Sequence, residues 1–227
     1  KNARSLDDDE GLKELVNKVI IRNRRQDTGI EWTKRHVETV PIHFSKEERA
    51  LYDAISSMHR EGNWMTDNQF SLMTLQREAC SSREAVFYTL RNMLKKQEQP
   101  SVAFQQKIEE LIGLVENIQQ NAKAQKALEI IQQINDKVII FTEYRATQLF
   151  LQWFLKQHNI TSVPFRGGFK RGKKDWMREL FQNHAQVLIA TEAGGEGINL
   201  QFCSYIINFD LPWNPMRLEQ RIGRIHR

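Results

Sequence analysis

Between residues 137 and 227 the sequence repeatedly switches between two periodicities, and this alternation limits its possible folds more than any other feature. Val138-Ile139-Ile140-Phe141, Thr161 to Phe165, Val187 to Ala190 and Tyr205 to Phe209 are short apolar runs. Tyr144 to His158 and Lys170 to Gln182 lie between them as helical stretches, the first carrying Leu149, Phe150, Trp153 and Phe154. Strand–helix alternation at roughly 25-residue spacing predicts an α/β fold with a parallel sheet and crossover helices. Val187 to Ala190 is apolar throughout, as a central strand buried on both faces should be. Ligands of such sheets bind where strands end at their carboxyl edge. The topology therefore predicts that Thr142, Arg166-Gly167-Gly168, Thr191 and Trp213-Asn214-Pro215 share one edge.

The preceding residues follow a different pattern. Residues 45–134 read as helices. Ser45-Lys46-Glu47-Glu48 is a capping box, and Leu51, Ala54, Ile55 and Met58 follow on one face. Thr66 with Gln69, and Ser81 with Glu84, predict two further helix starts. Ile108, Leu111, Ile112, Val115 and Ile118, then Leu128, Ile131 and Ile134, continue the helical spacing. Val37 to Phe44 reads as a strand. Met65, Phe70, Met73 and Phe87 are expected in the core. The expected organisation is thus an entry segment at 1–44, a helical region at 45–134 and an α/β lobe at 135–227.

Two segments point to phosphate chemistry. Gly194, Gly195 and Gly197 follow the buried strand in a turn that permits positive φ and close backbone approach. Most such turns after a strand are only turns. The closing stretch is predicted to be a helix capped by Asn214, with Pro215 at its first position. Leu218, Ile222 and Ile225 mark one face, and Arg217, Gln220, Arg221, Arg224 and Arg227 the other. Solvated arginines on an amphipathic surface helix are the ordinary explanation. That explanation leaves Gly223 unaccounted for, because an interior glycine costs about 1 kcal/mol relative to alanine.

Charge supports a polyanion partner. The chain of 227 residues has a formal net charge of +5, and its basic residues are clustered. Residues 166–179 carry six basic against two acidic side chains, 217–227 four against one, and 22–36 five against two. Such clustering suits a nucleic-acid surface, although solvated helix faces also produce it. Cys80 and Cys203 are the only cysteines, which points to neither a disulfide framework nor a zinc site, and to a reducing compartment. The histidines show no metal-binding spacing. No apolar run reaches membrane-spanning length. A first residue other than Met, and a last residue within a helix, suggest a fragment.

A phosphate-binding loop is apparent but incomplete. Gly167 to Lys173 matches Gly-x4-Gly-Lys, yet Lys174 stands where a Ser or Thr would hold Mg²⁺. The acidic run Asp7-Asp8-Asp9-Glu10 follows no apolar strand and reads as solvated. ATP hydrolysis needs both parts, so they are expected on another lobe.

Together these segments are specific. Residues 138–227 resemble the second RecA-like lobe of superfamily 2 helicases, most of all that of the Swi/Snf family. Ile140-Phe141-Thr142-Glu143-Tyr144 resembles motif IV, and Phe165-Arg166-Gly167-Gly168 the backbone-contact motif that follows it. Thr191 to Leu200 resembles motif V, and residues 220–227 motif VI. Asp210-Leu211-Pro212-Trp213-Asn214-Pro215 matches the family's Trp-Asn-Pro signature, and Ile21-Arg22-Asn23-Arg24-Arg25 is similar to its segment entering lobe two.

The resemblance implies the lobe of an ATP-dependent double-stranded DNA translocase. In it Arg224 and Arg227 would be arginine fingers, with Gln220 organising their site. Gly195, Gly197 and Asn199 would lie near the nucleotide; related helicases often carry Asp at the position of Asn199. Thr142, Arg166, Gly167, Gly168, Lys170, Arg171 and Thr191 would hold the DNA backbone, and Trp213 would couple the two sites or simply pack in the core. ATP and Mg²⁺ would be held mainly by an N-terminal ATPase lobe, the natural partner besides DNA and a DNA-bound protein target. The lobe alone would be inactive. An intracellular setting is implied, the cytoplasm or nucleoid of a prokaryote ahead of a eukaryotic nucleus. The alternatives are lobe two of a strand-separating RNA or DNA helicase, and a catalytically silent nucleic-acid-binding module.

Overall fold

The computed structural model describes residues 35–60, 69–97, 100–191 and 199–225. Helices α1 (Lys46–Arg60), α2 (Gln69–Ala79), α3 (Arg83–Lys96) and α4 (Val102–Asn117) come first, followed by α5 (Ala122–Ile134). The alternating part follows as β1 (Val138–Thr142), α6 (Arg145–Gln157), β2 (Ser162–Phe165), α7 (Arg171–His184), β3 (Val187–Thr191), β4 (Tyr205–Asn208) and α8 (Pro215–Ile222).

The strands form a parallel sheet, as the sequence predicts, and the structure orders them β2-β3-β1-β4. Crossover helices can lie on both faces, so both faces of the central strands are buried. Val138, Ile140, Val187 and Ile189 pack with α5 and α6, through Leu128, Ile131, Leu151 and Leu155. Their neighbours Ile139, Phe141, Leu188 and Ala190 point the other way, onto Met177 and Phe181 of α7 and onto Leu200 and Cys203. All five β1 residues are buried, which explains its unbroken apolar run.

Helices α1 to α4 enclose a separate core of Leu51, Ile55, Met58, Leu72, Leu75, Val86, Leu90, Phe104, Ile108, Leu111 and Val115. The spacing of the last four places one stripe of α4 inward. The capping box at Ser45 forms reciprocally. The Glu48 amide donates to Ser45 Oγ at 3.1 Å, and the Ser45 amide donates to Glu48 Oε2 at 2.8 Å. Glu48 Oε1 also accepts the Ala122 amide at 3.2 Å, so one buried carboxylate serves two helix starts.

Several expectations need correction. Residues 122–134 belong with the sheet rather than the helical bundle, since Ala124, Ala127, Leu128 and Ile131 fill the sheet's core. No strand forms over 37–44. Val37 is 71% exposed, and Phe44 instead packs at a tilt against Tyr52 and lies beneath Arg49 at the start of α1. The cap of α3 is Ser82, one residue after the expected Ser81. Met73 and Phe87 are exposed rather than core residues. The expected start at Thr66 lies outside the described residues, as do Met65, the side chain of Phe70 and residues 21–25.

Candidate nucleotide and nucleic-acid edge

The register places Thr142 beside Thr191 and Phe165 beside Ala190, so β1, β2 and β3 end together. Gln148, buried in α6, secures that edge. Its amide nitrogen donates to the Phe165 carbonyl at 3.0 Å and the Ile189 carbonyl at 2.6 Å. Burying a polar side chain this completely is tolerated because both amide protons are paired. The chain then leaves β2 through Arg166 and Gly167 to Gly168, whose φ of 79° lies in the left-handed region that glycine enters without strain. Phe169 packs edge-on against Phe165, with the Arg166 guanidinium and the Lys173 ammonium over its ring at 5.3 and 4.6 Å. Lys170 and Arg171 are exposed at the start of α7, beyond this anchored turn.

Thr142 does not face a ligand. It is fully buried, and its hydroxyl donates to Asp210 Oδ2 at 2.6 Å. The expectation that it grips a nucleic-acid backbone is therefore corrected: Thr142 fixes the end of β1. Asp210 is a hub that sequence reasoning missed. Its Oδ2 also accepts from Ser81 Oγ at 2.9 Å and the Glu143 amide at 3.1 Å, and Oδ1 accepts from Lys123 Nζ at 3.0 Å. Since Ser81 donates to Asp210, Thr147 must donate to Ser81 and Ser82 to Thr147, at 2.9 and 2.8 Å, which gives one direction to a chain of buried hydroxyls. An acidic residue just after an apolar strand was the available signal.

The terminal helix is shorter than expected. Asn214 Oδ1 accepts the Met216 amide at 2.9 Å, and Pro215 follows as predicted. The helix ends at Ile222, with Gly223 as its C-cap, so Gly223 is terminal rather than interior. Its φ of −59° suits any residue, and an added Cβ would meet only Glu219 and Gln220 carbonyls at 3.4 and 3.5 Å. Arg221 is not on the solvent face. It is buried over Phe141 and donates to the Asn208 side chain at 3.1 Å and the Asp210 carbonyl at 2.7 Å.

Gln220 remains exposed, and Arg224 is half-buried in the turn after α8. The Leu200 amide donates to the Arg224 carbonyl at 3.1 Å, bringing exposed Asn199 next to that turn. Asn199 Oδ1 accepts the Gln201 amide at 3.2 Å, which closes its own turn. Trp213 is 66% exposed, so it is not a core residue; the Arg77 guanidinium lies 4.4 Å from its ring. Gly195, Gly197 and Arg227 lie outside the described residues.

Two further properties bear on chemistry. Burial pushes the Cys203 thiol up to about 11, and the thiol donates to the Lys137 carbonyl at 3.0 Å. Burial likewise raises Cys80 above its usual range, so neither is poised as a nucleophile at neutral pH. Among the described residues no His, Cys, Asp and Glu side chains cluster to hold a metal, and no helix is long and apolar enough to cross a membrane.

The helicase conserved C-terminal domain family matches residues 106–227. The chain is 63% identical over 228 residues to a Bacillus subtilis protein described as the uncharacterized ATP-dependent helicase YqhH, covering 100% of this chain and 41% of that protein. It is 39% identical over 97 residues to the RNA polymerase-associated protein RapA of Serratia proteamaculans, covering 41% of this chain and 10% of RapA. The chain thus spans well under half the length of either relative. The C-terminal domain of a Sulfolobus solfataricus SWI2/SNF2 ATPase superposes with a TM-score of 0.53 at 21% identity, over 77% of this chain and 71% of that one. The chain belongs to the helicase conserved C-terminal domain family, and its fold is similar to that of the SWI2/SNF2 ATPase C-terminal domain.

Proposed function

We propose that the chain is the C-terminal lobe of an ATP-dependent translocase that moves along double-stranded DNA. One observation carries this reading: the Leu200 amide ties the Asn199 turn to the carbonyl of Arg224. It joins the two segments that resemble motifs V and VI. Among the described residues, the Arg224 guanidinium has no hydrogen bond or ion pair. A planar cation held on a tied backbone, with an exposed amide at Gln220, suits charge developing on a phosphoryl group.

In this reading Arg224 and Arg227 act as arginine fingers, and Gln220 orders their site. Gly195, Gly197 and Asn199 meet the nucleotide. ATP and Mg²⁺ are held mainly by an N-terminal lobe; the chemistry ATP supplies is phosphoryl transfer to water. Arg166, Gly167, Gly168, Lys170, Arg171 and Thr191 contact the DNA backbone, which positions the duplex without reading sequence. Thr142 acts behind them, holding the edge through Asp210. Trp213 links the two sites. The lobe alone binds nucleic acid and does not hydrolyse ATP. A DNA-bound protein is the target, in line with the name of the relative RapA. The setting is intracellular.

YqhH's description as a helicase favours strand separation as the second reading. The full-length protein should displace a third strand from a triplex in an ATP-dependent manner, without separating a plain duplex. Duplex unwinding without triplex displacement would replace the translocase with a helicase.

A further inference from the structure

Two regions with separate cores meet at the carboxyl edge, and a single side chain there makes an unusual set of contacts. Arg77, on α2 of the helical bundle, pairs with the Glu143 carboxylate just after β1. The same guanidinium nitrogen donates to the Leu211 carbonyl at 2.8 Å, and the guanidinium carbon lies over the Trp213 ring, 4.4 Å from its centre. One rigid fork thus touches both loops flanking Asp210, from a different part of the chain. Arginine suits this role because a planar guanidinium can bond at its edge while stacking on its face.

These contacts lead directly to α8. Leu211 and Trp213 lie in the short segment between Asp210, anchored to the Phe141 carbonyl through its own amide at 3.2 Å, and Asn214, which caps α8. Within α8, Arg221 returns to the Asp210 carbonyl. The segment is pinned at both ends, and Arg77 holds its middle. Trp213 is largely exposed, so core packing does not fix its position.

We infer that Arg77 is a positioning residue through which the helical bundle sets the orientation of α8, and with it Gln220 and Arg224. This rests on the proposal that Arg224 acts in ATP hydrolysis. Because Arg77 acts on a group that contributes in the transition state, its loss should lower kcat and leave KM for ATP unchanged. A lysine keeps the charge opposite Glu143 and loses the planar stack, so it should restore activity only in part.

The test uses the full-length protein with a DNA duplex as activator, comparing wild type, Arg77→Ala, Arg77→Lys and Arg224→Ala. The expected result for Arg77→Ala is a kcat lowered about tenfold or more with KM within twofold and an unchanged melting temperature, with Arg77→Lys intermediate. A kcat within twofold of wild type for Arg77→Ala, or a loss that tracks a lowered melting temperature, overturns the inference. If Arg224→Ala abolishes turnover while Arg77→Ala does not, only the inference fails. If Arg224→Ala retains turnover, the underlying proposal fails and the inference with it.

Discussion

Thr142 and Asp210 are joined by a buried 2.6 Å hydrogen bond that locks the end of β1 to the loop leading into α8. The same carboxylate collects Ser81, the Glu143 amide and Lys123. Removing it orphans buried donors from both regions of the structure, the costliest kind of loss. Asp210→Ala should therefore destabilise the chain by about 3–5 kcal/mol, and Asp210→Asn by less because its amide keeps an acceptor oxygen. Denaturant unfolding checks this. An Asp210→Ala cost below about 1 kcal/mol would show that the hub is dispensable.

Glu78 introduces pH dependence into the helical bundle. Burial raises its carboxyl to about 7, opposed by the Thr89 hydroxyl that donates to it at 2.8 Å. The folded state therefore keeps a proton that the unfolded chain loses near 4.5. Its contribution is fully present below the unfolded value and is lost as pH rises to about 7. Glu78→Gln should flatten that slope and stabilise the protein by roughly 3 kcal/mol at pH 8. Identical stability–pH curves for variant and wild type would contradict the assignment.

Gly223 separates fold from function. An added methyl meets only ordinary helical neighbours, at 3.4 and 3.5 Å. Gly223→Ala should leave the fold as stable, or up to about 1 kcal/mol more stable. In the full-length protein the same change should lower ATP turnover, because the proposed closing lobe or nucleotide approaches this backbone. Stability follows from thermal melting and turnover from phosphate release; undiminished turnover would remove Gly223 from the site.

Lys170 and Arg171 project from the edge beyond the turn at Gly168. If they contact phosphates, removing both should weaken duplex binding uniformly across sequences. The dependence of log affinity on log salt concentration should lose about 2 units of slope. Titrations by fluorescence anisotropy at several salt concentrations measure this, and an unchanged slope would place the DNA elsewhere.

The sheet was legible because buried parallel strands leave unbroken apolar runs, as Val138 to Phe141 and Val187 to Ala190 do. Residues 37–44 had the right composition for a strand, but pairing requires a neighbouring backbone, which no alternation pattern encodes. The cap of α8 was legible because one residue type carries the chemistry: the Asn214 side chain accepts the Met216 amide. The candidate site was illegible where the partner is distant in sequence. Asp210 binds Ser81, Lys123 and Thr142, and Arg77 reaches Trp213, across separations that local periodicity does not encode. Thr142 and Arg221 carry exposed-type polar groups, and only the tertiary fold turns them inward.

The central claim is that Arg224 stabilises charge on the transferred phosphoryl group. Single-turnover ATP hydrolysis by the full-length protein on duplex DNA, wild type against Arg224→Ala, tests it most directly. The expected loss is about 10³-fold or more, with nucleotide and DNA binding retained. Hydrolysis within a few-fold of wild type would contradict the account.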